Sequence, residues 1–173
     1  SIVGSTINLP LFTIDATRAP DPAWQQRLRW MNAMGRNLQE GKVLIAINVG
    51  GGLIPIAFSL YLLRHNPLPA LIVLIAIAIQ SGICYWSSRP VPGLGIGMPI
   101  LIAPIAAAII AVTLHTEGSA PLAYVCGTLG VLIGADLLRL KDVRALGSPL
   151  ASIGGAGTFD GVFITGIVAV LLA

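Results

Sequence analysis

Leu68-Pro69-Ala70-Leu71-Ile72-Val73-Leu74-Ile75-Ala76-Ile77-Ala78-Ile79-Gln80-Ser81-Gly82-Ile83-Cys84-Tyr85-Trp86 contains no charged residue. Crossing the hydrocarbon core of a bilayer as a helix takes about 20 such residues. Four further apolar runs have comparable length, at residues 43–63, 94–114, 120–138 and 149–173. Together they predict an all-α, polytopic transmembrane bundle of five spans over residues 43–173. Composition agrees. Of 173 residues, 55% are hydrophobic and 10% charged, against about 25% charged in soluble domains, and the mean hydropathy is +0.88. Folded in water, such a chain would have too little polar surface to cover its apolar bulk. The partner it predicts first is therefore the lipid bilayer.

The residues before position 43 differ in kind. Residues 1–12 read as the tail of a further apolar helix, a sixth, ending at Asn8-Leu9-Pro10, and the absence of Met at position 1 suggests a processed or shortened chain. Residues 13–42 read as a cytoplasmic or interfacial segment. Asp21-Pro22 makes a helix start, and Trp24, Leu28, Met31, Met34 and Leu38 recur at helical spacing. Arg27, Arg29, Asn32 and Arg36 fall mainly on the other face, the pattern of an amphipathic helix lying at the membrane surface. A solvated connector is the plainer account of the same residues.

Basic residues set the orientation. Arg18, Arg27, Arg29, Arg36, Lys42, Arg89, Arg139, Lys141 and Arg144 share one side of the five-span arrangement, and Arg64 alone takes the other. Lys and Arg near span ends stay in the cytoplasm, so these nine face the cytoplasm across a cell inner membrane, and the C-terminus lies opposite. The net charge of +3 is not gathered on a polar face, which excludes nucleic acid as a partner class. Cys84 and Cys126 sit in apolar runs, form no CxxC pair and have no nearby His at metal-ligand spacing. No metal and no other cofactor is expected.

Two acids fall inside the apolar runs, Asp136 and Asp160. An ionised carboxylate at membrane depth costs about 3 kcal/mol or more, so such residues face a protein interior and usually have a function. A regular helix from Pro149 would carry Asp160 about 16 Å inward, away from Asp136. An unwound segment across Gly154, Gly155 and Gly157, with helix from near Thr158, would bring the acids level. Irregular backbone at that depth is tolerated only where it is buried in protein or lines water. Asn48, followed by Gly50, Gly51 and Gly52, and Gln80 fall at the same depth. The candidate site is therefore Asp136 and Asp160 as catalytic residues, with Gly154, Gly155, Gly157, Thr158, Asn48 and Gln80 as substrate contacts. Packing is the competing account: glycines four apart, such as Gly130 and Gly134, let helices approach closely.

Asn48-Val49-Gly50-Gly51, Arg89-Pro90-Val91-Pro92-Gly93, Gly134-Ala135-Asp136-Leu137-Leu138 and the run from Gly154 to Gly161 resemble an uncharacterised prokaryotic membrane family, domain of unknown function 1614. That resemblance covers nearly the whole chain and implies no activity. At the level of motifs alone, the chain is similar to intramembrane aspartyl proteases of the presenilin and prepilin-peptidase type, which place one acid in each of two consecutive helices. The resemblance implies Asp136 as the first acid and Asp160 as the second. Thr158 and Phe159 intervene between the glycines and Asp160, and Ala135 stands where presenilins have tyrosine. Three functions follow: an intramembrane aspartyl protease, a proton-, ion- or solute-transporting protein, or a non-catalytic subunit packed against other membrane proteins or its own copies.

Overall fold

The computed structural model describes residues 4–17, 42–91, 95–144, 150–155 and 161–173. In chain order these form strands β1 (Asn8–Asp15) and β2 (Lys42–Asn48), then helices α1 (Ile54–His65) and α2 (Ala70–Ser87). A small hairpin follows, β3 (Arg89–Val91) and β4 (Gly95–Gly97), then α3 (Ile102–Leu114) and α4 (Ser119–Val131). The short α5 (Leu140–Val143), strand β5 (Leu150–Ile153) and α6 (Gly161–Leu172) complete it. Two π-helical turns, Val49–Leu53 and Leu132–Leu137, lead into α1 and out of α4.

The all-α, five-span expectation is corrected by these elements. Two helices are long and apolar enough to cross a membrane among the described residues, Ala70–Ser87 and Thr116–Leu137. The apolar runs at 43–63, 94–114 and 149–173 are each divided between a strand and a helix of 12 or 13 residues. Such helices reach only about 20 Å, short of the ~30 Å hydrocarbon core. The expected tail of a sixth helix is instead a 3-10 turn, Gly4–Thr6, followed by β1. The amphipathic segment expected within 13–42 falls, but for its ends, outside the described residues.

The reason is local chemistry. Val43, Ile45 and Ile47 are β-branched and suit an extended, packed backbone. A helix continued past them would meet Gly50, Gly51 and Gly52, each costing about 1 kcal/mol relative to Ala. The chain forms a strand and then turns. β2 is the middle of a three-stranded sheet, ordered β1-β2-β5. It pairs antiparallel with β1, Asn8 opposite Asn48 and Asp15 opposite Lys42, with a register shift between Pro10 and Phe12. It pairs parallel with β5, Leu44 beside Leu150 and Ile47 beside Ile153. Val43, Ile45 and Ala46 are almost fully buried, so the strand shows little of the alternation that marks a half-exposed one.

Helix α4 is the axis of the helical layer and packs against α1, α2, α3 and α6. Glycines in it and in the π-turn that follows are the contact points. A Cβ on Gly130 would strike the Gln80 side chain, and one on Gly134 would strike the backbone carbonyl of Ser81 and the Cβ of Cys84. The four-residue spacing serves the close approach of α2 to α4, as packing between apolar helices requires. Around this axis Val73, Ala76, Ala107, Ala111, Leu122 and Val125 are buried. A second core joins Val43, Ile45 and Ile153 of the sheet to Cys84, Val131, Leu132 and Val162. Leu71, Leu74, Ile75 and Ile79, by contrast, leave the outer side of α2 exposed and wholly apolar.

The ends of the two long helices are aligned. Arg139, just past α4, donates from Nη2 to the carbonyls of Tyr85 (2.8 Å) and Ser88 (2.9 Å), at the end of α2. Its Nε donates to Ser88 Oγ (3.3 Å), its Nη1 to Asp142 (2.9 Å), and its guanidinium lies over the Tyr85 ring at 4.2 Å. At the opposite end Ser119 Oγ donates to the carbonyl of Ala173 (3.1 Å). A cation bonded to terminal helix carbonyls satisfies acceptors the helix cannot reach and opposes its dipole. Arg139→Ala is expected to lower stability by about 2 kcal/mol, and Arg139→Lys to recover less than half of that, because an ammonium cannot reproduce the planar fork. Thermal unfolding in detergent measures both.

Candidate functional site

The parallel strands β2 and β5 run side by side and end level. Each then enters a glycine turn: Asn48-Val49-Gly50-Gly51-Gly52 after β2 and Gly154-Gly155 after β5. Helix α1 follows the first turn, and α6 begins six residues beyond Gly155, at Gly161.

The two turns touch backbone to backbone. Gly154 has φ +79° and Gly155 φ +85°, a region L side chains rarely adopt. A Cβ on Gly154 would lie 2.5 Å from the Gly52 nitrogen and 2.6 Å from the Gly51 carbonyl carbon. Only glycine permits this contact. The Gly154 N–H donates to Asp136 Oδ2 at 2.8 Å, so this half-buried acid is bonded to the turn that leaves β5. Asp136 itself lies in the π-turn after α4. The described π-turns thus stand at the two sides of this junction, and such turns occur frequently at functional sites.

Asn48 is fixed from three sides. Its Oδ1 accepts from Gly51 N (2.8 Å), and its Nδ2 donates to the Ser5 carbonyl (2.8 Å) and to Asn8 Oδ1 (3.1 Å). Asn8 Oδ1 also accepts from Ser152 Oγ at 2.6 Å. One polar side chain from each strand thereby ties the sheet together at the end that carries the glycine turns. Asn48 is 1% exposed and holds the β2 turn in shape.

Gln80 belongs to the bundle interior. It is fully buried, and its Nε2 donates to the Ala103 carbonyl at 2.9 Å and toward Cys84 Sγ at 3.6 Å. Gly157, Thr158 and Asp160 lie outside the described residues. The structure thus brings Asp136, Gly154 and the Asn48 turn to one place, with Gly155 next in the chain. The unwound entry expected before Asp160 is a strand over Leu150–Ile153 and a pair of positive-φ glycines. Cys84 and Cys126 are buried free thiols.

Sequence reading missed Asn8, Ser152 and the sheet they join. The available signal was the short β-branched run after Lys42, bounded by Asn48 and three glycines, which fits a buried strand as well as a helix segment. Arg139 was read only as a topological charge, although its position just past an apolar run also fits a cap.

A family model described as protein of unknown function (DUF1614) matches residues 2–172. No curated protein and no solved structure matches the chain.

Proposed function

The chain belongs to the DUF1614 family, of unknown function, and we propose that it is an intramembrane aspartyl peptidase whose catalytic pair is Asp136 and Asp160. The observation that carries the proposal is the 2.8 Å bond from Gly154 N–H to Asp136 Oδ2. It ties the first acid to the chain segment that leads, within six residues, to the second. Two carboxyls held close share one proton. One then takes a proton from water as it attacks the scissile carbonyl, while the other donates to the carbonyl oxygen.

The sheet supports a substrate in extended form. β5 stands at the end of the strand order among the described residues, and a peptide added along Ala151 to Ile153 would reach the junction by strand addition. In this reading Gly154 and Gly155, with Gly157 and Thr158 beyond them, shape the path of the substrate backbone.

The same proposal includes a multi-pass position in a prokaryotic inner membrane, with the Arg89 and Arg139 end cytoplasmic by the distribution of basic residues. The shared height of the α2 and α4 ends, joined by Arg139, supports it. So does the contact of Ser119 with Ala173 at the end of the helices away from Arg139, as a C-terminus on the other side would require.

The test is proteolysis by the purified full chain in detergent, with peptides that contain one apolar membrane span as substrates. Wild type should cleave them, and Asp136→Asn and Asp160→Asn should each abolish cleavage while keeping the wild-type melting profile. Cleavage that survives both substitutions overturns the proposal.

One observation favours a second reading, transport of a proton, ion or small solute. Gln80 Oε1, Ser81 Oγ and Thr165 Oγ1 are buried without a hydrogen-bond partner among the described residues, and buried polar atoms are normally satisfied. Flux into vesicles that depends on Gln80 and Thr165, with no peptide cleaved, would favour that reading.

A further inference from the structure

A cavity of about 630 Å³ opens where α2 ends and α3 begins, beside the β3–β4 hairpin. Ile83, Trp86, Met98 and Ile102 give it apolar walls, and Ser87 and Arg89 supply its polar side. This volume suits a small amphiphile or one end of a larger one. We infer that the cavity is a binding site for an anionic phospholipid, with the phosphate at Arg89 and an acyl chain along Ile83 and Ile102.

Three observations carry this. First, the cavity lies at the end of an apolar helix long enough to span the membrane, so it opens at headgroup height. Trp86, 86% exposed on its rim, is the residue type that settles at that level. Second, Arg139 and Arg89, both at this end, have different duties. Arg139 is committed to Tyr85, Ser88 and Asp142. Arg89 is exposed, and among the described residues no carboxylate lies within ion-pair distance of it. Third, the walls leading from Arg89 toward the helices are apolar, so a ligand with charge alone would leave most of the lining unused. A phosphate joined to a hydrocarbon chain complements both parts, and basic pockets between helices at the cytoplasmic side bind lipid headgroups in this way.

The inference rests on the membrane-spanning part of the proposal above and is independent of the acid pair. Native mass spectrometry of the detergent-solubilised full chain, titrated with phosphatidylglycerol and with phosphatidylcholine of the same acyl chains, reads it directly. Phosphatidylglycerol should bind about tenfold more tightly. Arg89→Gln should bring the ratio to within about twofold, and Arg89→Lys should keep most of it, since a point charge suffices for phosphate at a headgroup. Arg64→Gln, at the other end of the bundle, should leave the ratio unchanged. Ile102→Trp should weaken phosphatidylglycerol by filling the hydrocarbon part of the cavity. Equal binding of the two lipids, or a preference that survives Arg89→Gln, overturns the inference. Displacement by inorganic phosphate or glycerol phosphate at millimolar concentration also overturns it, because the site would then recognise a free anion. Asp136→Asn should retain the lipid preference, so a failed cleavage assay and a failed lipid assay are distinguishable.

Discussion

Gly154→Ala is expected to lower stability by about 4 kcal/mol and to abolish whatever activity resides at the junction of the glycine turns. Two effects add. A Cβ at φ +79° costs about 1–2 kcal/mol by itself. The remainder comes from contact, because the new atom would sit 2.5 Å from the Gly52 nitrogen and 2.7 Å from the Gly51 oxygen. These are backbone atoms of a turn already held by Asn48, so they cannot rotate aside. The turns must separate, and Gly154 N–H then withdraws from Asp136. Gly82→Ala is the matched control: a Cβ there meets nothing within 4 Å and should stabilise the helix by at most about 1 kcal/mol. Thermal unfolding of the two variants in one detergent measures the contrast. Similar melting of Gly154→Ala and wild type would show that the two turns are not in contact.

Asn48→Ala should cost about 3 kcal/mol. It leaves the Gly51 N–H without its acceptor and removes the donor to Ser5 and Asn8. Each buried group left unmatched costs about 1–3 kcal/mol. Asn48→Asp should recover nothing: a carboxylate still accepts from Gly51, but it would be buried with its other oxygen against the Ser5 carbonyl and Asn8 Oδ1, and an uncompensated buried charge is costly. A residue that acted only on substrate would give the opposite pattern, with normal melting and lost turnover. The expected destabilisation therefore assigns Asn48 to the frame of the site, and chemical denaturation of the two variants, compared with wild type, reads it.

Those two residues show how far the sequence could be read. Glycine clusters and polar residues within apolar runs single out Asn48, Gly154 and Asp136, and the structure sets Gly154 against the turn that Asn48 holds and bonds it to Asp136. The secondary structure around them was misjudged because hydrophobic run length does not distinguish a buried strand followed by a short helix from one long helix. Val43 to Ile47 is apolar throughout since β2 is covered by other parts of the chain, and the period-two signal is erased. Residues 68–86 were legible because nothing interrupts their helix, and α2 spans Ala70–Ser87. Gln80 is legible only in part. The apolar run places it on a helix, but its side chain turns toward Ala103 and Gly130, a direction that only the packing of three helices determines. The partnership of Asn8 with Ser152 joins residues far apart in the chain and leaves no mark in either neighbourhood.

The parallel pairing of β2 with β5 also bears on biogenesis. Leu44 and Leu150 are partners, although roughly a hundred residues of chain separate them. During synthesis, which proceeds at about 5–20 residues per second, the first strand must wait several seconds before its neighbour exists. Over that interval its hydrogen-bonding edge toward β5 has no mate, a hazard for aggregation. The junction with Asp136 likewise closes only once Gly154 has been made, roughly a hundred residues after the turn it packs against.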